Sequence, residues 1–573
     1  MAQEIHYEIF RRSGAKGGWL LHEVVTARDA ARSIAEDLMK SERATGVKIV
    51  KETYDTETGN YLTLKIFEDG HNRASRLDKT AKDEPESLPC FTADDLYSYH
   101  ARSTIARLLS DFLTRNRITV TELIHRADML EKLEATGTLY QHAIQRIAVA
   151  QASSSPTPVA QIIKSLNDLA TKAIHRVYRD ERVQRFADAT PDRFGALAVS
   201  LGEQPDARYL LNGAIARYLK QADGWDGKLA LLLALMTNMP EEEAGRHLLL
   251  SCIDAITAEI LSGSAALHEL LGEQGALGNA LLILVQVFLG TNQASGHDGL
   301  RALIRHFARD ELPEARAAVA NRILAELKSQ KRLVQGSIGD ELKIQRRLAN
   351  QVVLMEGKYL GHEDILAAFT RRSQRFVTNE VVVQHLADAK EPDEKLDLLL
   401  TIEENIVGAE NKRRLVHFLT PVLQSSAFDQ QFLTAKTPPL LRIQRLAALQ
   451  ARVRRSGFQD KERNEIADTL DRVASEVESR GKLFHSIEHR AAGAVERALL
   501  LLKLCSEGSL TEGRLSAKAR ELIIANLARP GFLSAYSATM PDKPAPDAAL
   551  SDLLQTLQKA GITRETGLKS IAA

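Results

Sequence analysis

Apolar residues along this chain recur at two different spacings, and the change from one to the other divides it. Near the start, Ile5, Tyr7 and Ile9 alternate with His6 and Glu8, the period of a half-buried strand. Trp19 to Val25 predicts a second strand, after a glycine-rich turn at Ser13 to Gly18. Arg28 to Lys40 switches to helical period, with Ala31, Ile34, Ala35 and Leu38 on one face. Val47 to Tyr54 and Tyr61 to Phe67 predict two further strands. The loop between them, Asp55 to Asn60, is hairpin-like, with Gly59 and Asn60 suited to positive φ. The order ββαββ predicts a small antiparallel sheet with one helix on one face.

His71 to Pro89 is polar and charged and reads as a linker. From about Ala93 to Tyr536 the apolar spacing is helical, segment after segment. Thr92 is placed to cap the first helix, whose apolar face runs through Leu96, Ile105, Leu108, Leu109 and Phe112. Pro191, Pro240, Pro313, Pro392 and Pro439 each stand before a helical run, where a missing N–H costs least. Asp192, Glu241 and Glu314 follow at the positive helix ends. Gly202, Gly290, Gly408 and Gly508 follow helical runs and fit C-terminal caps. The pattern predicts roughly 15 to 19 helices. There is no fixed-period repeat that would name a repeat family.

The expected fold class is mainly α: a small N-terminal α+β module (ββαββ), then a large multi-helical, solenoid-like α-domain. The expected organisation is the module at 1–70, a linker at 71–92 and an all-helical region at 93–540 with a sub-boundary near 151–158. Residues 541–573 are expected to form a flexible, proline-rich tail with a short amphipathic helix, Ala549 to Lys559. Leu550, Leu553, Leu554 and Leu557 give that helix an apolar face, which either docks back on the domain or is read by a partner. One stretch is unusually regular. Ile466, Leu470, Val473, Val477, Phe484, Ile487, Ala491, Ala498 and Leu501 keep a coiled-coil-like spacing, interrupted at Arg480 and Gly481, where a kink or break is expected. It reads as an antiparallel helix pair within the domain; the alternative is a homo-oligomer seam through 466–505.

Composition narrows the class. At 573 residues the chain exceeds a single core. Aromatics are 5%, so the core must come from Leu, Ala, Ile and Val, which suits helix-on-helix packing. Lys plus Arg and Asp plus Glu are both 75, so the basic excess of a general nucleic-acid binder is missing and no nucleic acid is expected. Cys90, Cys252 and Cys505 are far apart and read as reduced thiols of a cytoplasmic protein, with Cys252 and Cys505 buried. Met1 to Arg12 has no apolar run, so no signal peptide is expected. Leu229 to Met236 and Ala280 to Leu289 are too short to span a bilayer and read as buried core helices, so no transmembrane segment is expected.

Candidate chemistry is sparse. His485-Ser486-Ile487-Glu488-His489 has the His-x-x-Glu-His pattern of inverted zinc proteases. Helical geometry turns His485 and His489 away from the face of Phe484, Ile487 and Ala491, so they read as solvated histidines. Ser13 to Gly18 lacks the Gly-Lys-Ser/Thr ending of a phosphate loop. Gly272, Gly275 and Gly278 follow no strand and read as a loop with a close helix contact. Arg371-Arg372-Ser373-Gln374-Arg375, Lys412-Arg413-Arg414 and Arg452-Val453-Arg454-Arg455 read as solvated faces with cross-helix ion pairs, balanced by runs such as Glu241-Glu242-Glu243. No catalytic residue, metal ligand or cofactor is expected. The leading expectation is a non-enzymatic scaffold or adaptor with protein partners, its N-terminal module binding a partner or ligand. The alternatives are a ligand-sensing regulator and an enzyme whose site is dispersed along the chain.

Overall fold

The computed structural model describes residues 5–12, 19–41, 44, 46–55, 60–70, 88–153, 157–188, 190–202, 204–291, 297–490, 493–540 and 546–563. The turn at Ser13 to Gly18, the hairpin residues 56–59, most of the linker and the proline-rich stretch at 541–545 lie outside the described residues. The protein is mainly helical, with a four-stranded antiparallel sheet at the N-terminus followed by a large all-helical region. Two compact units are distinguished, 1–95 with 142–169, and 96–141 with 170–573.

In the first unit the strands are β1 (Ile5–Arg12), β2 (Leu20–Val25), β3 (Gly46–Asp55) and β4 (Asn60–Gly70), and the helix is Arg28–Lys40. They stand in the order β2-β1-β3-β4, every neighbouring pair antiparallel. Central pairs such as Ile9↔Ile49 and Arg11↔Val47 set the register. Ala31, Ala35 and Leu38, spaced by four and three, bury one helix face against Ile9, Val47 and Ile49. This is the ββαββ arrangement that the alternation predicts. The alternation does not show two register shifts, one between Ile9 and Phe10 opposite β2, the other between Ile49 and Val50 opposite β4. Each leaves one extra residue on the outer strand.

The second unit holds two large apolar clusters. One runs from Phe194 to Phe369, the other from Ile338 to Ile562. The runs at Leu229 and Ala280 supply the first, through Leu229, Leu232, Leu233, Leu281, Leu282, Leu284 and Val285. Among the described residues no single helix is long and apolar enough to cross a membrane. The pair Glu243–Ser262 and Ser264–Leu271 passes only when the two are taken together, and it bends by 86°. Its residues Ile253, Ile256, Leu261 and Leu267 are core.

The described residues form 28 α-helices and six short 3₁₀ segments, more than the pattern predicts. Continuous apolar spacing hides places where the backbone leaves the helix. The predicted run through Leu108 and Phe112 is cut at Leu109 into Tyr99–Leu108 and Ser110–Asn116. The coiled-coil-like run breaks beside Gly481, because Lys482 adopts a left-handed conformation (φ 49°), giving Asp460–Gly481, Leu483–Arg490 and then Ala494–Ser506. Its residues Ile466, Leu470, Val473, Val477, Phe484, Ala498 and Leu501 are buried within this same chain. Helix Asp460–Gly481 packs beside Pro439–Arg455, the intramolecular pairing expected of it. The terminal helix Pro546–Lys559 docks on the same cluster through Leu553 and Leu557, and the Tyr536 hydroxyl donates to Asp552 at 2.7 Å.

Several terminal signals are used differently than expected. Pro313, Pro392 and Pro439 open helices. Thr92 does not cap an α-helix; Asp95 instead accepts the N–H groups of Phe91 and Thr92, both at 2.8 Å, and Ser98 caps the helix from Tyr99. Gly290 and Gly508 end helical runs at positive φ, but Gly202 is right-handed and Gly408 begins the next helix rather than ending one.

Candidate functional site

The outer edge of β2 carries exposed apolar side chains. As the first strand in the order β2-β1-β3-β4, it has one hydrogen-bonded neighbour among the described residues, leaving a row of N–H and C=O groups facing outward. Leu20, Leu21 and Val24 are 62%, 52% and 46% exposed. The sheet face opposite the helix adds half-buried aromatics under cations. Arg12 lies 4.9 Å over the Trp19 ring, and Lys48 lies 4.6 Å over Phe10. The chemistry available here is recognition: backbone hydrogen bonds along one edge, and apolar side chains on both sides of it.

Sequence reasoning takes Trp19 to Val25 as an ordinary strand and misses this. A signal is nevertheless present. Two adjacent apolar residues, Leu20-Leu21, then two polar ones, His22-Glu23, then Val24-Val25, do not alternate. The register accounts for it: Ile9 pairs with Glu23 and Phe10 with Leu21, so His22 is the extra residue of a bulge.

The helical unit contains many buried ionisable groups, each tied to a structural partner. Glu122 is fully buried, accepts the Thr119 N–H, and receives Lys228 Nζ at 2.5 and 2.7 Å on its two oxygens. Burial lowers the Lys228 pKa, and the Glu122 carboxylate opposes that shift. Glu259 is raised by burial, against the Arg102 guanidinium at 2.7 Å and the Thr121 N–H and hydroxyl at 2.9 Å. Asp254 accepts the N–H groups of Glu314 and Ala315, supplying the cap that Leu312, left-handed at φ 58°, does not provide for helix Pro313–Lys328. Asp471 does the same for helix Arg514–Leu527, whose N-cap is Gly513. Apart from the local Thr119–Glu122 capping box, these pairings were not legible, because the partners lie 43 to 157 residues apart.

One buried group is less fully used. His125 is enclosed by Tyr97, Phe186 and Tyr209, with ring centroids 5.3, 6.2 and 5.0 Å away. Its Nδ1–H donates to the Thr121 carbonyl at 2.7 Å, while Nε2 has no hydrogen-bond partner among the described residues. Burial, with Arg102 and Arg176 nearby, pushes its pKa down to about 3, so the ring is neutral at physiological pH.

The residues singled out by sequence are not assembled into a centre. His485 and His489 are exposed, with ring centroids 3.8 Å apart, and His489 Nδ1 is engaged by the His485 carbonyl at 2.9 Å. Among the described residues no group of three or more His, Cys, Asp or Glu side chains is placed to hold a metal ion. Gly272 and Gly275 form a loop at positive φ, and a Cβ on Gly278 would stand 2.5 Å from Ile344 Cγ2, which accounts for the glycine spacing by close packing. The basic clusters divide. Lys412, Arg413 and Arg452 make ion pairs with Glu403, Glu410 and Asp397 at 2.6, 2.7 and 2.8 Å. Arg372 is a correction to the solvated-face expectation: it is buried, and its guanidinium donates to the carbonyls of Glu326, Leu327, Ser329 and Lys331. Cys252 is buried as expected, but Cys505 is only half-buried.

Comparison with known proteins finds no match to this chain among protein-family models, curated proteins or solved structures.

Proposed function

We propose that this chain is a non-enzymatic, cytoplasmic protein-interaction scaffold in which the edge strand β2 of the α+β module meets a protein partner. The observation that carries this reading is the outward-facing β2 edge with Leu20, Leu21 and Val24 exposed on it. Folded proteins normally shield such edges, and strand addition is the usual way one is occupied. The buried charges of the helical region add support, since those described above are bound to one another and to helix termini, as a rigid scaffold requires.

The test is affinity capture from native lysate with the full-length protein and the double variant Leu21→Lys/Val24→Lys, read by quantitative mass spectrometry. The expected result is a stoichiometric protein, of this or another sequence, whose recovery falls at least about tenfold in the variant, equivalent to about 1.4 kcal/mol. Equal recovery from both would refute the assignment to β2. A substrate turnover abolished by a point substitution elsewhere would refute the non-enzymatic reading.

A further inference from the structure

β2 reads Leu20-Leu21-His22-Glu23-Val24-Val25. In an unbroken strand side chains alternate, so Leu21 and Val24 would lie on opposite faces. The bulge at His22 reverses the parity. Leu20, Glu23 and Val25 pair with Arg11, Ile9 and Tyr7, on the face that carries the helix. Leu21 and Val24 pair with Phe10 and Glu8, on the open face. From either end the strand therefore runs the same way: an apolar residue on the helix face, an apolar residue on the open face, then a polar residue at the centre. The two central residues, His22 and Glu23, are chemically complementary.

A strand with this palindrome matches itself. We infer that β2 pairs antiparallel with β2 of a second copy of this chain, about a two-fold axis between His22 and Glu23, joining the four strands of each copy into one sheet. This rests on the reading of β2 as the recognition edge. In that register Leu20 faces the partner's Val25, Leu21 faces the partner's Val24, and His22 faces the partner's Glu23. Both apolar pairs then lie on matching faces, which is the requirement for cross-strand packing. A regular strand laid on the same edge satisfies one apolar pair and puts the other on the wrong face, because it lacks the extra residue. A one-residue slip places Glu23 against Glu23 or His22 against His22, which the like groups oppose. The bulge thus blunts the edge toward ordinary strands while leaving it open to its own copy.

The experiment is sedimentation equilibrium of the full chain from micromolar to about 100 µM, a range that brackets weak self-association. The wild type is expected at twice the chain mass. Leu21→Lys is expected to raise the dissociation constant at least tenfold. His22→Glu and Glu23→His each create a like pair across the axis and weaken association. The double swap His22→Glu/Glu23→His restores opposite groups and is expected to recover wild-type association within about threefold. A role of these residues confined to the fold of one chain predicts no such recovery. A monomeric wild type, a dimer indifferent to Leu21→Lys, or a double swap as weak as its singles would each overturn the inference. A monomeric wild type whose captured protein is still lost on Leu21→Lys/Val24→Lys rejects the second copy but keeps β2 as the recognition edge. Capture indifferent to that variant rejects the edge itself.

Discussion

Replacing Arg372 with methionine removes a buried guanidinium and keeps most of the stem volume. Arg372 is 1% exposed. Burial lowers its pKa to about 10, so it remains charged at neutral pH. Nη1 donates to the carbonyls of Glu326, Leu327 and Ser329 at 3.3, 3.4 and 3.0 Å, and Nη2 to that of Lys331 at 2.5 Å. Helix Pro313–Lys328 ends here, and its last carbonyls have no intrahelical donor, so a side chain from helix His362–Ser373 caps it and sets a positive charge at its negative end. The Glu326 carbonyl also accepts from the N–H and hydroxyl of Ser329, so it keeps partners in the variant. Glu341 keeps Arg332, Arg375 and the Leu333 N–H, so no buried charge is orphaned. The cost is then the loss at Leu327, Ser329 and Lys331, at about 1 kcal/mol each, for a total of about 3 kcal/mol. In a chain with two apolar clusters a single unfolding midpoint is ambiguous, so the assay is native-state hydrogen exchange of the last turn of Pro313–Lys328. Exchange about 100-fold faster is expected for Arg372→Met. Arg372→Lys, with one ammonium for dispersed carbonyls, is expected between variant and wild type. Exchange in Arg372→Met within threefold of wild type would refute the capping argument.

A methyl group on Gly213 would overlap the Phe186 ring, so Gly213→Ala is expected to cost about 1–3 kcal/mol, and Phe186→Leu in the same chain to recover part of it, measured by native-state hydrogen exchange of helix Ala207–Tyr218. His125 has a folded pKa near 3, below its unfolded value, so its neutral form stabilises the fold fully above about pH 6.5 and progressively less as pH falls toward 3. Between pH 7 and 5.5 the wild type should therefore lose about 1 kcal/mol relative to His125→Phe; parallel pH profiles for the two proteins would contradict the burial of a neutral ring. Leu557 is 1% exposed in the helical cluster, so Leu557→Ala should cost about 2–4 kcal/mol and expose helix Pro546–Lys559 to limited proteolysis, whereas unchanged digestion would mean the helix is not anchored there.

What the chain's own pattern settled was element type and the apolar faces. Alternation at Ile5 to Ile9 and helical spacing at Arg28 to Lys40 each report a local geometry, and each stands where predicted. The break beside Gly481 was legible because Arg480 interrupts an apolar register, although the left-handed residue is Lys482. Helix number was not legible, since one apolar face continues across a residue such as Leu109 that leaves helical geometry. The fate of the charges was decided by the tertiary structure alone. Arg372 shares a basic cluster with Arg371, yet one is buried over carbonyls some forty residues away and the other is exposed. The edge strand falls between the two cases. Its doubled apolar residues were visible in the sequence, but only pairing with β1 showed that His22 is extra and that Leu21 and Val24 share a face. Periodicity records which side of its own element a residue occupies. Capping, ion pairing and edge exposure depend on which other element arrives there, and the folded chain brings those elements together across long sequence distances.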